Sequence, residues 1–356
     1  MPTLAIAGGT SPSLGRAIVT ALLSPKTKHW DAVIFSRNDR KPLWLRAIDP
    51  ENTRTRIRTV DYLSVASLAS ALNGVHTLVS VTSAIDGTQP QIQINLLYAA
   101  VQAGCKRFAP AEWGFGPKAW GAAEPAGMGF SEVWTECVKA QDKIECARFN
   151  QGAFMNYIGL GMYPDQQEID QDQALQQMTN NGGYAQGEDQ VCQGLQRQGD
   201  LNDGSGAFLV GLKNAIAELP QKDDGSWPRI TMTSMIDVGR LFVASLDLPH
   251  WEEEMNIAGD TVTMGELLEH VEAVTGRKFE VDILNQAEIE ARKAALAPDD
   301  FMGQLFAELK LSYVRDEDDG VVLRPVVNHL LPDVRTTSVR EYIEECWRTA
   351  NQSSAM

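Results

Sequence analysis

LAIAGGTSPSLG, Leu4 to Gly15, is the stretch from which the fold follows. An apolar strand (Leu4 to Ala7) runs into a turn (Gly8 to Gly15), and Leu14, Ala17, Ile18, Ala21 and Leu22 then recur as the apolar stripe of an amphipathic helix. Ser11 is a favoured N-cap type and Pro12 suits a first helical position, so the helix is expected to start there. A second strand, Ala32 to Phe35, ends in Ser36-Arg37-Asn38. Open parallel sheets build dinucleotide sites in this order, with the pyrophosphate at the first helix N-terminus, where free N–H groups and the helix dipole favour an anion. Gly8, Gly9, Thr10, Ser11, Pro12, Ser13, Leu14 and Gly15 are therefore candidate phosphate-facing residues. The spacing departs from G-x-G-x-x-G: no glycine stands at Ser11, and Gly15 comes one residue late. Taken alone, the loop also fits a tight strand-to-helix turn whose glycines serve backbone geometry.

Arg37 and Asn38 lie where an adenosine ribose would sit, and an acidic residue at that place binds the NAD 2′-hydroxyl. A guanidinium there suits a 2′-phosphate, which favours NADPH (NADP) over NADH as cofactor. Arg40 and Lys41 either add to that charge or form a solvated basic turn.

The chain has 356 residues, 44% of them apolar, enough for one large or two coupled cores. Its net charge of −16 argues against nucleic acid or an anionic membrane surface as main partner. The absence of a spanning-length apolar run and of a basic-then-apolar N-terminus predicts a soluble cytoplasmic protein, monomer or homodimer. Five cysteines without a C-x-x-C pair and five dispersed histidines predict reduced thiols and no metal site.

Strand–helix alternation continues through Ile57 to Val60, a helix with Val65, Leu68, Ala69 and Leu72, the strand His76 to Val81, and a helix from Gln89 to Ala103 stopped by Gly104. KRFAPAEWG (Lys106 to Gly114) follows. The expected fold is α/β, a Rossmann-type doubly wound parallel sheet with a smaller C-terminal α/β part. Ligands of such sheets bind beyond the strand ends, so Thr82, Ser83, Ala111, Glu112, Trp113 and, after the sixth strand, Asn150 are further cofactor candidates.

KRFAPAEWG resembles the strand-five signature of the NmrA-like and isoflavone-reductase-like atypical short-chain dehydrogenases. The resemblance extends to RFNQGAFMNY (Arg148 to Tyr157), DDGSWPRITMTSMIDVGR (Asp223 to Arg240) and GDTVTMGELL (Gly259 to Leu268). It implies an NADPH-binding domain, a smaller substrate domain and, for many members, reduction of small aromatic or secondary-metabolite substrates. It also implies a catalytic lysine near Ser131 or Glu132, but the chain reads GFSEVWTECVKAQDK there, with no lysine before Lys139. A lysine near the nicotinamide is expected to relay a proton while hydride moves to carbon, whereas a carboxylate needs a raised pKa to donate one. Glu132 is thus a solvated residue near a helix start or a repurposed acid or base tuned by Trp113 or Trp134, and Lys139 is an alternative on the same helical face.

Residues 163–208 are rich in Gln, Asp, Asn and Gly and show no convincing period. They read as an insertion, either a flexible surface loop or a lid over the pocket. Beyond it come a strand Ile230 to Met235, a helix from Ile236, a strand near Met255 to Ala258, a helix from Met264 with a Thr263/Glu266 capping box, and a last helix from Ser338 to Ala350. Residues 1–160, with 228–260 returning, are expected to form the cofactor domain, and 161–227 with 261–352 the substrate part. Trp113, Phe115, Trp120, Phe154, Met155 and Tyr157 are candidates for a flat apolar substrate pocket, Trp113, Phe154 and Tyr157 foremost. Three functions fit: an NADPH-dependent reductase of an aromatic or heterocyclic substrate, a non-redox isomerase, dehydratase or cyclase on the same fold, and a dinucleotide-sensing regulator without turnover.

Overall fold

The computed structural model describes residues 1–354 apart from 28, 85, 121–127, 164–169 and 191–208. In β1 (Thr3–Ala7), Leu4 and Ile6 enter one apolar cluster while Ala5 and Ala7 enter another. After α1 (Leu14–Leu23), β2 (Asp31–Ser36) repeats the division with Ala32 and Ile34 against Val33 and Phe35. Strands apolar on both sides must be covered on both, and here helices cover them. The chain continues through α2 (Leu43–Ile48), β3 (Thr55–Thr59), α3 (Val65–Ala71), β4 (Thr77–Ser80), α4 (Gln89–Ala103), β5 (Arg107–Ala109), α5 (Phe130–Lys139) and β6 (Glu145–Cys146). The six strands pair in parallel in the order β3-β2-β1-β4-β5-β6. This is the doubly wound Rossmann order, and the chain reverses direction across the sheet between β1 and β4, where a crevice opens at the strand ends.

The helix α4 has the limits that periodicity predicts, and Gly104 takes the left-handed conformation that ends it. The helix α1 does not: it begins at Leu14 with Ser13 as N-cap. The extra residue of the glycine loop is absorbed in a turn, where the Ser11 N–H donates to Gly8 O at 3.0 Å and the Ser11 hydroxyl accepts from the Gly15 N–H at 3.2 Å.

Next come β7 (Ala153–Phe154), α6 (Gln171–Asn180), β8 (Val210–Gly211), β9 (Ile216–Pro220), β10 (Arg229–Thr233), α7 (Met235–Ser245), β11 (Asp260–Thr263), α8 (Met264–Thr275), β12 (Glu280–Leu284), α9 (Gln286–Ala294), α10 (Phe301–Arg315), α11 (Val326–Leu330) and α12 (Val339–Ser354). Two three-stranded sheets, β11-β10-β7 and β12-β9-β8, form a second part with its own apolar cluster. Val238, Leu241 and Phe242 of α7 share a cluster with Leu14, Ile18 and Leu22 of α1, which returns this segment to the large sheet. The Thr263/Glu266 capping box opens α8 as expected. The strand expected near Met255 to Ala258 is instead an extended connection, its Met255 and Ile257 N–H groups donating to Arg148 O and Asn150 O, both at 2.8 Å. Among the described residues no helix is long and apolar enough to cross a membrane.

The described part of the polar insertion is built, contrary to the absence of period in its sequence. Asp170 caps α6 by accepting from the Asp172 and Gln173 N–H groups, and Ala174 and Met178, one turn apart, are buried. Met178 joins Trp44 and Leu45 of α2 in the core. The following turn is seated on Arg16 of α1, whose side chain is wholly buried. Its guanidinium donates to Glu188 and to Gly183 O, and lies 4.2 Å from the Tyr184 ring centre. An apolar stripe of two residues is too short to stand out by periodicity, yet it suffices beside a buried ion pair. Glu188→Ala strands a buried guanidinium and is expected to cost roughly 3–5 kcal/mol. Chemical denaturation checks this, and an unchanged midpoint would mean that the pair does not hold the segment.

Candidate functional site

At the crevice between β1 and β4, a cavity of about 600 Å³ is lined by Gly8, Thr10, Ser11 and Ser13 on one side and by Arg37, Tyr62, Thr82 and Ser83 among others. A Cβ built on Gly15 would stand 2.9 Å from Gly8 O and 3.0 Å from Gly9 Cα, so the helix reaches the strand end only with glycine there. Among the described residues the N–H groups of Thr10, Ser13 and Leu14 take no backbone partner. Free donors at a helix N-terminus, aimed where the dipole is positive, are a place for an anion.

Tyr62 forms the floor. Its hydroxyl donates to Phe35 O and accepts from the Gly8 N–H, both at 3.0 Å, tying the ends of β1 and β2 together. Burial pushes its phenol up to about 12, against smaller opposing effects of the Gly8 N–H and the Arg37 charge. Arg37 is exposed on the rim and makes no side-chain hydrogen bond or ion pair among the described residues. Across from it, Asp86 is held below the ordinary carboxylate range chiefly by the Thr88 hydroxyl at 2.6 Å and N–H at 3.1 Å, with a smaller pull from Arg37.

Two glutamines brace the other lip. Gln89 donates to Thr82 O at 2.9 Å and accepts from the Ala84 N–H at 3.1 Å. Gln93 donates to the Thr82 hydroxyl at 2.8 Å and accepts from the Ala111 N–H at 3.0 Å, joining the ends of β4 and β5. The donor set and the open glycine turn suit a pyrophosphate with a basic group beyond it, so the residues present fit a dinucleotide.

Residues 2–177 match the model of the NmrA-like family. The chain carries an NmrA-like domain. Over 285 residues, 78% of each chain, it is 25% identical to Oxidoreductase BOA1 of Botryotinia fuckeliana (strain B05.10). Among solved structures it is similar to an isoflavone reductase, with a TM-score of 0.68 and 16% identity, covering 96% of this chain and 98% of that one. It is also similar to AtPrR2 with NADP+ and (+)pinoresinol, with a TM-score of 0.64 and 19% identity, covering 97% and 98% respectively. At these identities the two structures establish the fold.

Within the NmrA-like domain, several expected site residues are engaged elsewhere. Lys41 leaves the basic rim: its ammonium is bonded to Asp49 O and to Asn52 Oδ1, and burial draws it below the usual lysine value. Asn150 is buried, its amide nitrogen reaching Glu112 O and Phe115 O at 3.1 Å. Glu112 is buried with the Arg148 guanidinium 4.0 Å from its carboxylate. Trp113 packs on Phe149 and Phe242, ring centres 5.8 Å away in each case, and donates to Ser80 O at 2.7 Å. Phe115 and Met155 are buried residues of the second apolar cluster. Phe154 and Tyr157 stay partly exposed, their rings 6.1 Å apart, against Ala17 and Met235. The Trp120 side chain lies outside the described residues.

Lys139 sits at the last turn of α5, 63% exposed, with its ammonium on Glu136 at 2.6 Å. Glu132 occupies the first turn with an exposed side chain, and Trp134 turns away to donate to Glu253 at 3.1 Å. Tyr62, Gln89 and Gln93 are the residues that motif reasoning passes over. A polar pair four apart, in a helix otherwise reading as core, is the signal that could have found the glutamines.

Because the Tyr62 hydroxyl is held un-ionised, spectrophotometric titrations of wild type and Tyr62→Phe should superimpose below about pH 11. A missing phenolate near the ordinary tyrosine value in the variant would contradict the buried floor.

Proposed function

We propose that the protein is an NADPH-dependent reductase of a small aromatic or heterocyclic substrate. The observation that carries this reading is Arg37, a guanidinium without an ion-pair partner among the described residues, at the end of β2 on the rim of the crevice. Charge-assisted bidentate bonding makes a 2′-phosphate its natural ligand. The oxidoreductase name of the BOA1 relative and the NADP+ in the AtPrR2 structure support the same reading.

Thr10, Ser13 and Leu14 N–H groups would hold the pyrophosphate, and Tyr62 with Gly8 would set the depth at which the adenosine lies. When bound, the nicotinamide supplies hydride to the substrate carbon. Phe154 and Tyr157 offer flat, partly exposed apolar surface beside α1 and would orient an aromatic substrate while excluding water. With Lys139 held by Glu136 at the surface, delivery of the proton falls to Glu132 or to solvent. That same absence of a lysine from the first turn of α5 favours, as a second reading, a non-redox step on the same fold. Product formed with no loss of NADPH absorbance would select it over the reductase.

Arg37→Ala removes one charge-assisted contact and should weaken NADPH by about 10–100-fold while leaving NADH nearly unchanged. Equilibrium titration of both cofactors tests this, and equal losses for the two would end the assignment of Arg37 to the 2′-phosphate.

A further inference from the structure

The polar insertion meets the basic turn after β2 across a second cavity, and nothing in the reductase reading accounts for this. The cavity holds about 600 Å³ and shares Thr10, Ser36 and Asn38 with the first. Arg40, Lys41 and Arg46 line it, and among the described residues no carboxylate does. Lys41 is occupied, but among the described residues the guanidinium groups of Arg40 and Arg46 carry no ion pair. In a chain of net charge −16, such a cavity is a local concentration of positive charge among the described residues.

The facing wall is Gln171 and Ala174 of α6. Asp170, the acid beside Gln171, is turned onto its own helix, accepting the Asp172 N–H at 3.0 Å and the Gln173 N–H at 3.1 Å. This wall is fixed in place. Met178 anchors α6 in the core, and the turn after it is bound to Arg16, which lies in α1 two residues beyond Leu14 and its free N–H. The turn that carries the proposed pyrophosphate donors thus leads directly into the helix that seats the insertion.

We propose that the insertion is a component of the cofactor site: α6 closes the phosphate side of the dinucleotide, and Gln171, a neutral residue facing Arg40 and Arg46, sets the charge that separates NADPH from NADH. This rests on the NADPH reading above and adds to it a specificity-determining position outside the β1–α1–β2 unit. Gln171 is exposed and lies in the first turn of α6, so replacement is compatible with folding. A carboxylate there would partly neutralise the cavity, and an ammonium would reinforce it.

The test is calorimetric titration of the full chain with NADPH and with NADH, for wild type, Gln171→Glu and Gln171→Lys, with thermal unfolding to show that both variants are folded. Gln171→Glu should lower the NADPH-to-NADH affinity ratio by about 2–5-fold and Gln171→Lys should raise it by a similar factor. Both shifts should shrink at high salt. A wild-type protein that prefers NADPH, with variants that keep its ratio, would overturn the role of the insertion and leave the cofactor reading standing. A wild-type protein that binds neither cofactor, or does not discriminate, would overturn both.

Discussion

The N-terminus of α1 can touch the carboxyl end of β1 because Gly15 has no side chain: a Cβ there would stand 2.9 Å from Gly8 O. Much else is arranged around that contact. It sets Thr10 and Ser13, whose N–H groups take no backbone partner among the described residues, on the wall of the crevice at the switch point of the sheet, next to the positive end of the helix dipole. The same helix presents Leu14, Ile18 and Leu22 to the core shared with α7, Ala17 to Phe154 and Tyr157, and Arg16 to the insertion. A displacement of α1 would therefore disturb the phosphate loop, the apolar wall and the insertion together.

Charge is distributed in the opposite sense to the whole molecule. In an acidic chain, Arg37, Arg40 and Arg46 carry no ion pair among the described residues around two adjoining cavities, while Arg16 and Arg148 are matched to carboxylates. Unpaired guanidinium groups on the rim remain hydrated and are free to meet a ligand. The buried ones are tied to protein acids because an isolated buried charge is costly.

Much of the large sheet was legible because its central elements carry strong local signals: the double-sided apolar strands β1 and β2, the stripe of α1, and the run from Gln89 stopped by Gly104. The second part was less so. Its strands β8 and β7 are two residues each and β12 is largely exposed, so tertiary pairing rather than pattern defines them. The helix α9 did have a signal, an Asn285/Glu288 capping box of the same spacing as the one at Thr263. In the site, Arg37 could be placed from its position after β2, and the glycine turn from its composition. Tyr62 and the two glutamines could not, because they act across elements distant in sequence. The aromatic candidates divided by burial, which residue type does not reveal: Phe115 and Met155 are core, whereas Phe154 and Tyr157 are partly exposed.

The crevice at the end of β1 is proposed to hold NADPH. Calorimetric titration of the wild-type chain with NADPH and, in parallel, with NADH addresses it directly. Saturable binding of NADPH, tighter than that of NADH, is the result this structure predicts. Binding of neither would contradict it and leave the glycine turn as a structural junction alone.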